Sequence, residues 1–118
     1  MKTRLEQGLS ALHLSPTPSG TLEQYCSLLL EQNQMMNLTA ITDPDQVVDL
    51  HMLDSAALLT VDDFSGKKVI DVGTGAGFPG MVLKVLEPTI ELTLLDSLGK
   101  RVHWLSGLSA QLGAAPVE

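Results

Sequence analysis

Residues 69–80 read VIDVGTGAGFPG, and the order of residue types in this stretch points to one local architecture. Val69, Ile70 and Val72 are β-branched and favour extended backbone, and they run straight into Gly73, Gly75, Gly77 and Gly80. Glycine has no Cβ and tolerates positive φ, so a turn built from it lets backbone amides approach a ligand closely. Pro79 suits the opening of a helix. The stretch therefore predicts a strand, a tight turn and a helix start, an arrangement whose usual occupants are mononucleotides and dinucleotides.

The pattern continues downstream. A helix is predicted from Pro79 to about Leu86, closed by Pro88, and a second strand from Ile90 to Asp96. From Ser97 to about Leu112 the apolar residues Leu98, Val102, Leu105, Leu108 and Leu112 recur at helical spacing, with Gly113 as the stop. This β-α-β-α order predicts parallel strands whose right-handed crossovers cover the sheet. Upstream, residues 3–13 predict a short helix, broken by SPTPSG. Thr21 and Gln24 have the spacing of a capping box, and Leu22, Tyr25, Cys26, Leu29 and Leu30 form an apolar helical stripe that ends near Asn37. Asp43 as N-cap, Pro44 at the first position and Gln46 three residues after the cap predict a third helix to about Leu59. The chain thus divides into a helical region, 1–62, and an α/β region, 63–118. Two strands cannot bury their own faces and edges. The closing AAPVE reads as the approach to another strand, and the expectation is the N-terminal part of a larger protein.

Composition narrows the class. The 118 residues are 44% hydrophobic and 18% charged, which suits one globular unit. MKTRLEQGLSALHLSP carries no apolar signal-peptide core, and no run of 18 apolar residues occurs, so no membrane partner is expected and the cytoplasm is the expected compartment. Cys26, the only cysteine, rules out an internal disulfide and lies on the apolar stripe as a core residue. A net charge of −7, with only seven Lys and Arg, and 3% aromatic residues argue against a broad nucleic-acid surface in these residues.

The glycines permit two readings. Gly75-x-Gly77-x-x-Gly80, with Asp96 about twenty residues on, fits a dinucleotide turn and a nicotinamide-dependent oxidoreductase. Asp71-x-Gly73-x-Gly75-x-Gly77 resembles motif I of the Rossmann-like S-adenosylmethionine methyltransferases. Together with NLTAI at 37–41, HMLDS at 51–55, DVGTGAGFPG at 71–80 and LLDSLGKRV at 94–102, the chain resembles the bacterial small-subunit rRNA guanine-N7 methyltransferase family, RsmG or glucose-inhibited division protein B.

That resemblance implies a Rossmann-like methyltransferase fold, here reaching two strands, preceded by N-terminal helices. It implies S-adenosyl-L-methionine as cofactor and 16S rRNA or the small ribosomal subunit as partner. Carried over by position, it makes Gly73 and Phe78 cofactor contacts, Asp71, Gly75 and Gly77 the acid and glycines of motif I, and Asp96 the ribose-binding acid with Ser97 beside it. It assigns no catalytic residue: N7 of guanine is already nucleophilic and the sulfonium is an activated donor, so positioning suffices. The family's later strands and most of its RNA surface correspond to nothing before Glu118, so the residues alone are expected to be inactive, and a non-catalytic adenosyl-binding module is the competing reading. Plainer roles compete as well. Asp71 could simply cap the next helix, and Asn37 and Thr39 a helix end and turn. His51 and Asp54 are two ligands without a third, so packing against the glycine turn is preferred to a metal site, and no metal is expected. Lys100 and Arg101 suit a solvated face, and Trp104 the core.

Overall fold

The computed structural model describes residues 1–37 and 39–102. Helix α1, Lys2–Ala11, buries Leu5 and Leu9, one turn apart, against α2, Ser19–Met36. The stripe predicted on α2 is buried, with Leu22, Tyr25, Cys26 and Leu29 fully inaccessible. Its start differs from the expected capping box. The helix opens two residues before Thr21, after Pro18, with no side-chain cap. The amides of Ser19 and Leu22 donate to the carbonyls of Pro16 and Pro18 at 3.0 Å, so backbone satisfies the first turn and Thr21 lies inside it. Asn37 ends α2 in the left-handed conformation, φ 50°, ψ 50°, as its side-chain chemistry allows.

The third helix, α3, covers residues 44–60 and is not uniform. Asp43 caps it as expected, its Oδ2 accepting from the Gln46 amide at 3.1 Å, and Pro44 sits in the first turn. The α-turn Pro44–Gln46 then widens into a π-helix at Val47–Leu53, returns to α at Asp54–Ala56 and tightens to 3₁₀ at Ala57–Thr60. In a π-helix residues five apart share a face. Val47 and Met52 have that spacing and both are fully buried. Arg4 of α1 holds Asp49 of α3 through two hydrogen bonds, at 2.9 and 2.6 Å, on the exposed side.

Strand β1, Lys68–Val72, pairs in parallel with β2, Glu91–Leu95, in register from Lys68↔Glu91 to Val72↔Leu95. Helix α4, Gly80–Leu86, connects them and buries Met81, Val82 and Leu83. Leu92 and Leu94 of β2 join these side chains and the stripes of the N-terminal helices in one continuous core. The α/β architecture expected of the sequence is therefore present, with one correction on its coverage. The other sheet face is open among the described residues: Ile70 and Val72 are 64% and 67% exposed.

A second correction concerns the helix expected from Ser97. Residues 97–100 form a turn instead, with Gly99 at φ 80°, and Arg101 bridges back to Leu95 in antiparallel sense. Leu98, expected on an apolar stripe, is 79% exposed. Asp96 is the cause, since its side chain holds the turn closed. The remainder of that expected helix, with Leu105, Leu108, Leu112 and Trp104, lies outside the described residues. Among the described residues no helix is long and apolar enough to cross a membrane. No group of three potential metal ligands occurs among them either.

Candidate functional site

Asp71 and Asp96 stand at the carboxyl ends of neighbouring parallel strands, the end at which open α/β sheets receive ligands. The glycine turn lies between them, and its conformation follows from its hydrogen bonds. The Leu95 carbonyl accepts from both the Gly73 and the Thr74 amides, at 2.9 and 3.1 Å, which fastens the turn to the end of β2. The Thr74 carbonyl in turn accepts from Gly77, at 3.0 Å, and Phe78, at 3.3 Å. Gly73, Gly75 and Gly77 have φ of 73°, 56° and 99°, a region costly for any residue with a Cβ. Gly73 and Gly75 are exposed, and a Cβ on either would meet nothing within 4 Å. The turn is thus a shallow cradle open on its outer side. The amides of Gly75 and Ala76 donate to no partner among the described residues.

Asp71 does what its plainer reading anticipated. Its Oδ2 accepts from the Gly80 amide at 2.9 Å and from the Thr74 hydroxyl at 2.7 Å, so it caps α4 and braces the turn. Gly80 is required by this closeness: a Cβ there would fall 2.7 Å from Leu94 Cδ2 and 2.9 Å from Asp71 Oδ2. The Asp96 Oδ1 accepts from the amides of Leu98 and Lys100, both at 2.9 Å, while the Lys100 carbonyl accepts from the Asp96 amide at 2.7 Å. One oxygen of each carboxylate is therefore committed to local structure. Ser97 follows Asp96 on the exposed turn.

Phe78 leaves the turn toward the helices. Its ring stacks on Tyr25 of α2, with centroids 5.3 Å apart and planes at 11°, and on His51 of α3, at 4.6 Å and 6°. His51 Nε2 is 3.1 Å from the Thr39 hydroxyl, which also accepts from the Ile41 amide at 3.1 Å, and the Thr39 amide donates to Asn33 Oδ1 at 2.8 Å. Thr39 of the first motif and His51 of the second thus meet behind the glycine turn, and His51 packs on Phe78. Partial burial lowers the imidazole pKa, opposed by Asp54, so the neutral ring is favoured. Asp54 itself is exposed on α3. Lys100 and Arg101 are likewise exposed.

One site residue was not legible in the sequence. Tyr25 counted only as part of an apolar stripe, yet its hydroxyl donates to the Ala76 carbonyl at 2.6 Å, tying α2 to the turn. Burial, with a smaller contribution from Asp71, pushes the phenol well above its usual range, so it remains a donor. The available signal was a single polar tip on that stripe, which needs a partner when buried. Lys84, with its side chain nearly buried on α4, donates to the Pro88 carbonyl at 2.9 Å and to that of Ile90, and so serves the α4–β2 connection rather than the site.

The sequence profile of the GidB family, described as rRNA small subunit methyltransferase G, matches residues 19–118. Among curated proteins, a ribosomal RNA small subunit methyltransferase G from Symbiobacterium thermophilum is 51% identical over 104 residues, 86% of this chain and 42% of that protein. The protein of the same name from Alkaliphilus metalliredigens is 44% identical over 119 residues, 98% of this chain and 50% of its own length. That from Staphylococcus epidermidis is 42% identical over 113 residues, 95% and 46% respectively. The chain spans about half the length of these curated relatives or somewhat less.

Proposed function

The chain belongs to the GidB family of rRNA small subunit methyltransferases, and from that premise we propose that it forms the cofactor-binding part of an enzyme that methylates N7 of a guanine in 16S rRNA. The methyl donor is S-adenosyl-L-methionine, and the enzyme acts in the cytoplasm on the small subunit or its RNA. The carrying observation is the cradle of Gly73 and Gly75, open where any Cβ would intrude, between two carboxylates at adjacent strand ends.

The residues present fit that cofactor. The free oxygen of Asp96 is an acceptor suited to ribose hydroxyls, with Ser97 beside it. The exposed Gly73 and Gly75 supply close backbone approach and the Gly75 amide, which has no partner among the described residues, supplies a donor, while the buried Gly77 keeps the turn in shape. Asp71 contributes negative charge beside the turn, suited to the ammonium of a methionine tail, while its other oxygen keeps the turn in shape. Phe78 bounds the turn. S-adenosylmethionine when bound supplies an activated methyl group, so the chain's own task is to orient and exclude water, and no general base is needed. The helical region, 1–62, serves the turn from behind, and the α/β region, 63–118, carries the cofactor residues.

The nicotinamide reading is disfavoured by one contact. A pyrophosphate needs the amides at the helix start, and here Asp71 occupies the Gly80 amide with a negative charge that repels phosphate. Methyl transfer to undermethylated small-subunit RNA, using tritiated donor and a protein carrying this sequence at the length of its relatives, is the test. Label recovered as 7-methylguanine supports the reading. Label on another atom overturns the N7 assignment, and absence of label in RNA overturns the activity.

A further inference from the structure

We propose that Tyr25, a residue of the helical region, is a positioning residue for cofactor binding: it holds the Ala76–Gly77 peptide so that the Gly73–Gly75 cradle keeps its open shape. The proposal rests on the S-adenosylmethionine reading above and adds to it a determinant outside the glycine motif.

The cradle is fixed at two ends. At the first, the Leu95 carbonyl accepts from the Gly73 and Thr74 amides. At the second, the Ala76–Gly77 peptide is gripped on both sides: its carbonyl accepts from the Tyr25 hydroxyl at 2.6 Å and its amide donates to the Thr74 carbonyl at 3.0 Å. Between these anchors lies Gly75, exposed and at φ 56°. A peptide of three closely spaced glycines has many accessible conformations, and ordering it costs free energy that a ligand must otherwise supply on binding. Tyr25 is fully buried and stacked on Phe78, so its hydroxyl is delivered to Ala76 by a ring that cannot move away. His51 steadies Phe78 in the same way and is itself held by Thr39. The helices thereby preorganise the turn from behind.

Tyr25→Phe keeps the ring and its stacking and deletes only the donor to Ala76. In a protein carrying this sequence at the length of its relatives, the substitution is expected to raise KM for S-adenosylmethionine and Kd for S-adenosylhomocysteine about tenfold. Meanwhile kcat at saturating cofactor and KM for RNA stay within about twofold, because a turn ordered by the ligand performs the same chemistry. A core residue with no positioning role would lower Tm and leave the cofactor KM unmoved, and that result overturns the proposal. Should Tyr25→Phe fail to fold, hydrogen exchange of the Gly77 amide in the unsubstituted protein without ligand decides in its place: protection is expected of a turn already held at Ala76–Gly77, and exchange at the rate of an open loop overturns the proposal. If the unsubstituted protein fails to bind S-adenosylhomocysteine by calorimetry, the underlying cofactor reading falls, and the role of Tyr25 falls with it. Unchanged cofactor affinity in a variant whose parent binds normally removes the Tyr25 assignment alone.

Discussion

Single residues show how closely local chemistry dictates the turn. Gly80→Ala drives a methyl group to within 3 Å of Leu94 and Asp71, and overpacking of this kind costs about 1–3 kcal/mol. Chemical denaturation should register that loss, and an unchanged midpoint would show that β1 and α4 can separate freely. Cys26 is fully buried and burial pushes its thiol up to about 11. Its reaction with an aromatic disulfide reagent at pH 8 should therefore be slow in the native chain and prompt in denaturant; prompt reaction in both would contradict the packing of α2. His51 carries a pH signature. Its folded pKa lies below the ordinary histidine value, so as pH falls from about 6.5 the unfolded chain binds more protons and stability declines. The melting temperature should drop between pH 7 and pH 5.5, and His51→Gln should flatten that slope. An equal slope in both proteins would mean that His51 is not buried against Phe78. At this scale the glycines and the Asp43 cap were legible, because φ and hydrogen-bonding capacity are properties of the residue. The Tyr25 hydroxyl was not, since its acceptor lies 51 positions away.

Elements divide by how far their cause reaches along the chain. The stripe on α2, the end at Asn37 and both strands were readable, because periodicity and local turn chemistry decide them. Two features depended on competition. The helix expected at Ser97 had the right apolar spacing, but an aspartate that accepts two amides at once, followed by Gly99, makes a turn there instead. In α3, a uniform α-helix gave way to a π segment, whose five-residue spacing buries Val47 and Met52 together. The turn at Asp96 offers a test of the ribose contact proposed for it. Asp96→Asn retains an acceptor for Leu98 and Lys100 while weakening the acceptor left for a ribose, and should reduce S-adenosylhomocysteine affinity by about 1–3 kcal/mol. A 2′-deoxy analogue should lose much less in this variant than in the parent, and equal losses would remove Asp96 from the ribose.

The whole molecule joins two readings that the sequence kept apart, since the helical region's residues form the back of the turn that the α/β region presents. The sheet face bearing Ile70 and Val72 is a further property of the whole, apolar and open among the described residues. Such an apolar face invites burial against another chain. Residues 1–118 prepared by themselves should therefore sediment partly as higher oligomers, increasingly with concentration. Under the proposed function they should also show no methyl transfer, since they match about half of the relatives' length. A strictly monomeric profile would contradict the exposure of β1. Whether the turn between Asp71 and Asp96 receives an adenosyl-methionine ligand is decided by calorimetric titration of S-adenosylhomocysteine and of NADH into a protein carrying this sequence at its relatives' length. Saturable binding of S-adenosylhomocysteine at one site, lost in Gly73→Val, with no heat from NADH, is the predicted result; binding of NADH alone, or S-adenosylhomocysteine affinity untouched by a folded Gly73→Val variant, would contradict it.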